Sequence, residues 1–376
     1  MLKLVSIVGA RPQFIKLISI SRAIKEFNTK HPVMSPCIKH IVIHTGQHYH
    51  YNMNDIFFKE LNIKEPDYNL GVGSHMQGRQ TALMLERIEA VLQKESPHLV
   101  IVYGDTNSTL AGALAAKKLN ILTAHIEAGL RSYNMNMSEE VNRVVTDRIS
   151  DILFCPSKKA IKNLAFEGIN NSPAKKFPRI FLVGDVMYDS ILFYFKIAKK
   201  ISNILKELSL TPKGYYLATV HRAENTNDPL RLKSILEILN EIAKNKAPVV
   251  FPVHPRTEKG IRCLGTHSFT KSLKAINPVS YLDMLILEKN ARAILTDSGG
   301  VQKEAYFLNV PCITLRDETE WVETIDSGLN ILTGTDKNKI KEALDKFKSL
   351  RPKHLKPYGD GRASKRIVDI IASLNN

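Results

Sequence analysis

Short apolar runs that do not alternate with polar residues constrain this chain most. Residues 3–8, 40–45, 99–103, 122–126 and 152–155 are such runs. A strand apolar on both faces must be covered on both faces, which points to a parallel sheet. Segments 12–26, 81–92 and 108–119 lie between them with helical periodicity, and supply the covering layers. The pattern then restarts. A strand at 180–183 leads into a long helix at 187–208 and a polar turn at 211–214. Runs at 215–220, 249–253, 293–296 and 312–315 form a second set of strands. Helices are expected at 230–244, 301–308, 340–350 and 363–374. The 376 residues exceed what one hydrophobic core organises. The expected fold is therefore α/β, with two Rossmann-like doubly wound domains and the ligand in the cleft between them. The boundaries are 1–185 and 186–359, followed by a last helix at about 360–376. In open α/β sheets, ligand-handling groups collect at the carboxyl ends of strands.

The formal net charge is +16, from 53 Lys and Arg against 37 Asp and Glu, which suits a polyanionic or phosphorylated partner. The cations are spread thinly over helix faces, without zinc-finger spacing, an RNP-like block or a basic tail. Solvated lysine faces explain them without nucleic acid. Cys37, Cys155, Cys263 and Cys312 have no metal-ligand spacing; the two in apolar runs, Cys155 and Cys312, read as buried reduced thiols. The opening apolar run is interrupted too soon for a secretory signal. No run reaches membrane-spanning length. A cytoplasmic enzyme is expected.

The first strand ends in GARPQFIK at 9–16. Pro12 suits a first helical turn, and Arg11 and Lys16 beside a helix start make a plausible anion site. An ordinary strand–turn–helix with solvent-facing cations fits as well. GDTNST at 104–109 sets Asp105 at a helix start, where a carboxylate is either an acid–base group or an N-cap. HIEAGLR at 125–131 places Glu127 and Arg131 beyond another buried strand. Glu139 and Arg143, four apart, share a helix face and would also make an exposed ion pair. Asp105, Glu127 and Glu139 together at one sheet edge have a use. Close carboxylates push their proton affinities apart and so give a site both an acid and a base. In the second half, His221 of HRAEN and His254 of HPRT each follow a strand, where they are catalytic, phosphate-contacting or structural. Asp297-Ser298-Gly299-Gly300 opens a helix whose small residues let backbone N–H groups approach phosphate. Glu304, one turn on, is placed to accept ribose hydroxyls.

This ordered set resembles the non-hydrolysing UDP-N-acetylglucosamine 2-epimerases over essentially the whole chain. The matches are GARP, HTGQH at 44–48, GDTNST, HIEAGLR, HRAEN at 221–225, HPRT at 254–257, DSGG with Glu304, and YGDG at 358–361. The resemblance implies a GT-B fold, with the last helix, about 360–376, crossing back onto the first domain, and a UDP-sugar substrate. It implies catalytic roles for Asp105, Glu127, Glu139 and His221, with Arg143 beside them. The substrate- and UDP-binding candidates are Arg11, Lys16, His254, Arg256, Ser298, Gly299, Gly300, Glu304 and Arg316. No metal and no cofactor are expected, nor any nucleic-acid or membrane partner; a homodimer is. The implied reaction removes UDP from C1 as a base takes the C2 proton, then re-adds UDP to the glycal with the opposite C2 configuration. The expected activity interconverts UDP-GlcNAc and UDP-ManNAc for surface polysaccharide precursors. The chain departs from the best-known bacterial members: GARPQ replaces GTRPE, Ser138 replaces Pro, Ala223 replaces Arg, and Lys303 replaces Glu. These features look closer to a sub-branch that epimerises UDP-2,3-diacetamido-2,3-dideoxyglucuronate, which is the alternative substrate. A GT-B glycosyltransferase and a UDP-sugar sensor are more distant alternatives.

Overall fold

A computed structural model describes residues 1–30, 37–47, 65–172, 176–265, 273–349 and 356–374. His48 of the HTGQH match lies outside the described residues, as do residue 350 and residues 375–376 of two expected helices. The chain divides into two compact units, Met1–Leu192 with Lys356–Asn376, and Phe193–Leu355. The division falls inside the helix Val186–Ile201 rather than before it.

The first unit is built on a seven-stranded sheet of order β3-β2-β1-β4-β5-β6-β7. Its strands are β1 (Leu2–Val8), β2 (Ile38–His44), β3 (Tyr68–Asn69), β4 (Leu99–Tyr103), β5 (Leu122–Ile126), β6 (Ile152–Cys155) and β7 (Arg179–Leu182). Every pairing is parallel. All five residues of β4 are buried, the physical reason its sequence shows no alternation. The helix Ala363–Ser373 packs on the helix Arg11–Lys30, and Asp189 caps it by accepting the Ser364 N–H at 2.7 Å.

The second unit has a six-stranded parallel sheet of order β10-β9-β8-β11-β12-β13. These strands are β8 (Tyr216–Thr219), β9 (Val249–Pro252), β10 (Leu273–Ile276), β11 (Ile294–Thr296), β12 (Cys312–Thr314) and β13 (Asn330–Leu332). Strand order reverses between β1 and β4 in the first sheet and between β8 and β11 in the second. Each reversal opens a crevice at the carboxyl ends, where this architecture binds ligands.

Two features depart from the sequence pattern. The expected helix at 187–208 is two helices, Val186–Ile201 and Ile204–Glu207. Ser202 interrupts it, its hydroxyl donating to Asp283 at 2.5 Å. Strands β3, β10 and β13 lie at sheet edges, where short or partly polar segments leave little hydrophobic signal.

Candidate active site

At the first reversal, β1 runs into Gly9. A Cβ there would sit 2.1 Å from Thr45 Oγ1 and 2.2 Å from Ser108 Oγ, so only glycine fits. Gln13, buried in the following helix, joins the two diverging strands. Its Oε1 accepts from the Gly9 and Ala10 N–H groups at 2.8 and 3.0 Å. Its Nε2 donates to the Tyr103 carbonyl at 2.8 Å and to Thr109 Oγ1 at 3.0 Å. The amide's four bonding positions are thereby filled. Arg11 is half-buried at the start of the same helix.

Strands β4 and β5 pair Tyr103 with Ile126, so Asp105 and Glu127 emerge side by side just beyond the ladder. Glu127 takes a φ of 76°, a left-handed conformation that costs a glutamate about 1–3 kcal/mol. Its N–H donates to the Phe154 carbonyl at 3.1 Å, which helps hold it there. Lys16, buried in the first helix, forms an ion pair with the Glu127 carboxylate. The structure therefore sets the expected anion-binding lysine beside a carboxylate.

The helix Asn107–Lys118 is capped by Thr106, whose Oγ1 accepts from the Thr109 N–H at 3.3 Å. The Asp105 carboxylate is left for Arg143, whose Nη1 donates to it at 2.6 Å. The helix Ser138–Ile149 docks on this turn through Arg143 and through Asn142, which donates to the Asp105 carbonyl at 3.0 Å. Glu139 lies half-exposed in that helix's first turn, with the Ser138 hydroxyl donating to its Oε2 at 3.1 Å. The buried ion pair within the helix joins Arg143 to Glu140, at 2.7 Å. Glu140 also accepts from the Ser132 and Tyr133 N–H groups at 3.0 and 2.9 Å. Burial pushes its carboxyl up, but these N–H groups and the guanidinium outweigh it and hold it below the usual range.

Behind this site, His125 donates from Nε2 to the Gly104 carbonyl at 2.7 Å, and its Nδ1 lies 2.7 Å from Asp147 Oδ1. Asp147 also accepts from the Gly129 N–H at 3.0 Å and from Arg131 at 2.7 Å. Burial raises the Asp147 carboxyl, yet His125 and Arg131 bring it below its ordinary value. Arg131 also forks onto Glu167 at 2.6 and 2.7 Å, so it braces the loop from beneath. Gln13, Glu140 and Asp147 were not assigned site roles from sequence, because each also meets a segment that only the fold brings to it: Tyr103 for Gln13, the loop at Ser132 for Glu140 and His125 for Asp147.

At the second reversal, His221 follows β8 and Asp297 follows β11. The fully buried Asp297 carboxylate accepts from the His221 and Arg222 N–H groups, each at 3.0 Å. The His254 ring packs 5.3 Å from the His221 ring. His254 caps the helix Pro255–Cys263, its Nδ1 accepting from the Arg256 N–H at 3.1 Å; both residues are exposed. Ser298 caps the helix Gly299–Phe307, accepting from the Val301 N–H at 3.4 Å. At Gly299 a Cβ would lie 2.9 Å from Glu320 Oε1, so a side chain there would displace that carboxylate. Gly300 is half-buried in the same turn, and Glu304 is buried one turn on. The departure Lys303 is buried with its ammonium 4.1 Å from the Trp321 ring centroid. Arg316, 1% exposed, donates from Nη1 to Glu320 at 3.1 Å. Among the described residues its Nε and Nη2 have no hydrogen-bond partner, although Nε lies in ion-pair range of Glu224 Oε1 at 3.6 Å. A buried guanidinium with open donors is the natural counterpart of an oxyanion.

Among the described residues no group of three or more His, Cys, Asp or Glu could hold a metal ion. No described helix is long and apolar enough to cross a membrane. Cys155 and Cys312 are buried free thiols, while Cys37 and Cys263 are exposed.

Two doubly wound units with polar groups at their strand-order reversals define an α/β protein built for nucleotide-type ligands. The family model described as UDP-N-acetylglucosamine 2-epimerase matches residues 34–372. A UDP-N-acetylglucosamine 2-epimerase homolog of Methanococcus maripaludis is 52% identical, covering 99% of this chain and 100% of its own. The UDP-2,3-diacetamido-2,3-dideoxy-D-glucuronate 2-epimerase of Pseudomonas aeruginosa is 49% identical, over 99% and 100%. The crystal structure of Methanocaldococcus jannaschii UDP-GlcNAc 2-epimerase in complex with UDP-GlcNAc and UDP superposes with a TM-score of 0.89. It is 46% identical, over 99% of this chain and 100% of that one. The chain belongs to the UDP-N-acetylglucosamine 2-epimerase family, and its activity class is that of an isomerase.

Proposed function

We propose that this protein interconverts UDP-GlcNAc and UDP-ManNAc without hydrolysis, by eliminating UDP and adding it back. The observation that carries the reading is the pair of strand-end carboxylates, Asp105 on Arg143 and Glu127 on Lys16. C2 of the sugar is not next to a carbonyl, so a carboxylate cannot simply remove its proton. Loss of UDP makes the step feasible. The C2–H electrons form the C1=C2 bond as the C1–O bond breaks, and UDP keeps that electron pair. In the return step UDP oxygen attacks C1, and C2 takes a proton on its other face. Inversion thus requires proton-handling groups on two faces, which one carboxylate cannot supply.

Asp105, Glu127 and Glu139 are assigned to the C2 proton, with Arg143 and Lys16 setting the charge around two of them. The second unit takes UDP. Arg316 and the helix start at Ser298, Gly299 and Gly300 receive the diphosphate, and Glu304 accepts the ribose hydroxyls. His221 acts beside the leaving diphosphate, and Arg11, His254 and Arg256 add contacts to the nucleotide-sugar. The proposal extends to a cytoplasmic homodimer that makes surface-polysaccharide precursors.

A second reading, the 2,3-diacetamido uronate as substrate, is favoured by the GARPQ, HRAEN and DSGGVQKE variants and by the Pseudomonas relative. Equal concentrations of the two UDP-sugars, supplied together without any acceptor, decide it through the ratio of kcat/KM values. Product NMR should show the higher ratio for UDP-GlcNAc. A tenfold preference for the uronate, or about 1.4 kcal/mol, overturns that order. Turnover that appears only with an added acceptor would make the protein a transferase.

A further inference from the structure

Asp297 stands first in the DSGG segment, yet the proposed chemistry gives it no task. We infer that Asp297 is the positioning residue for His221. Its catalytic consequence rests on the epimerase reading; its physical consequence does not.

The geometry is specific. Thr219 and Thr296 are paired in the β8–β11 ladder, and their hydroxyls bond at 2.6 Å. Beyond that rung the two strands diverge, and the chain after β8 must turn away at His221. Asp297, with no exposed surface, fills the fork. Its Oδ1 accepts from the His221 N–H at 3.0 Å, and its Oδ2 accepts from the Arg222 N–H at 3.0 Å and from Asn225 Nδ2 at 3.1 Å. Three donors converging on one carboxylate fix the backbone of the turn that carries the histidine. Asn225 also donates to the Leu315 carbonyl at 3.0 Å, tying the turn to the end of β12.

The same carboxylate faces the ring. Asp297 Oδ1 lies 3.6 Å from His221 Nδ1, within ion-pair range though beyond a hydrogen bond. The ring is 38% exposed, so it is not sealed behind the carboxylate. Asp297, just after β11, and His254, after β9, face it, and Arg222 and Glu224 stand on its own segment. Of the two partners described for the ring, Asp297 is the anion. A buried anion at this distance favours the imidazolium, and so equips His221 to protonate or balance a leaving diphosphate.

The test is a titration of the His221 ring by NMR, its resonance assigned by disappearance in His221→Gln. In Asp297→Asn the midpoint should fall by roughly 0.5–1.5 pH units, the lower part of the range for a lost opposite charge because the ring is partly exposed. This measurement needs no turnover, so it judges the inference even if the protein fails to epimerise. In turnover, Asp297→Asn should lose kcat more than it raises KM. Added to His221→Gln it should cost little further, since both changes remove one function. An unmoved midpoint in folded Asp297→Asn, or fully additive losses, overturns the inference. Should Asp297→Asn not fold, Asp297→Glu keeps the charge while displacing it. A near-native midpoint with reduced kcat supports the assignment, and native kcat contradicts it.

Discussion

Asp105→Asn, Glu127→Gln and Glu139→Gln are each expected to lower kcat by roughly 10²–10⁴-fold, the range for a lost acid–base group. Each change preserves size and removes charge. For Asp105 the outcome discriminates sharply. Thr106 caps the adjoining helix, so Asp105→Asn removes no cap and any loss reflects the carboxylate held on Arg143. For Glu127 the strained backbone remains while the charge facing Lys16 is removed. Glu139 is half-exposed, so its neutralisation should leave folding intact. UDP affinity should change little in all three, because the nucleotide is assigned to the second unit. Thermal unfolding measured alongside separates lost chemistry from lost structure. Near-native turnover in all three would reduce them to structural ion pairs and a surface charge.

Arg143→Met is expected to cost about 3–5 kcal/mol of stability in urea unfolding, the range for breaking a buried pair from one side. The reason is Glu140, whose side chain is 1% exposed and would lose its guanidinium. The Ser132 and Tyr133 N–H groups remain, which places the expected loss toward the low end. Asp105 adds little, since its side chain is 33% exposed. The pH dependence has a definite sign. Glu140 is held below its ordinary value, so its contribution is present above the carboxylate range and lost as pH falls through its folded value. The gap between native and variant protein should therefore narrow in acid. A loss under 1 kcal/mol would mean that solvent reaches Glu140.

The sheets were legible wherever strands are buried on both faces. The runs at 99–103, 122–126 and 152–155 became strands with the same limits. Of the edge strands, β3, β10 and β13 escaped, because short or partly polar segments carry a weak hydrophobic pattern, whereas the edge strand β7 was expected at 180–183. The candidate site was legible as motifs but not as pairings. Spacing alone put Glu139 on the face of Arg143, whereas the buried partner is Glu140. What selects Glu140 is the incoming loop, whose N–H groups need a buried acceptor, and no local spacing encodes that. The two readings of Asp105, acid–base group or N-cap, have the same origin: Thr106 takes the cap, and Arg143, 38 residues later, claims the carboxylate. Asp297 was hidden by its own motif, since the small residues after it suggested phosphate while its carboxylate turns to the neighbouring strand.

The central claim is that the C2 hydrogen leaves during turnover. Purified protein incubated with UDP-GlcNAc in deuterium oxide tests it most directly, with NMR at C2 of the product and of the recovered substrate. Elimination and re-addition predict deuterium at C2 in both. Epimerised product that keeps its original C2 hydrogen would contradict the account.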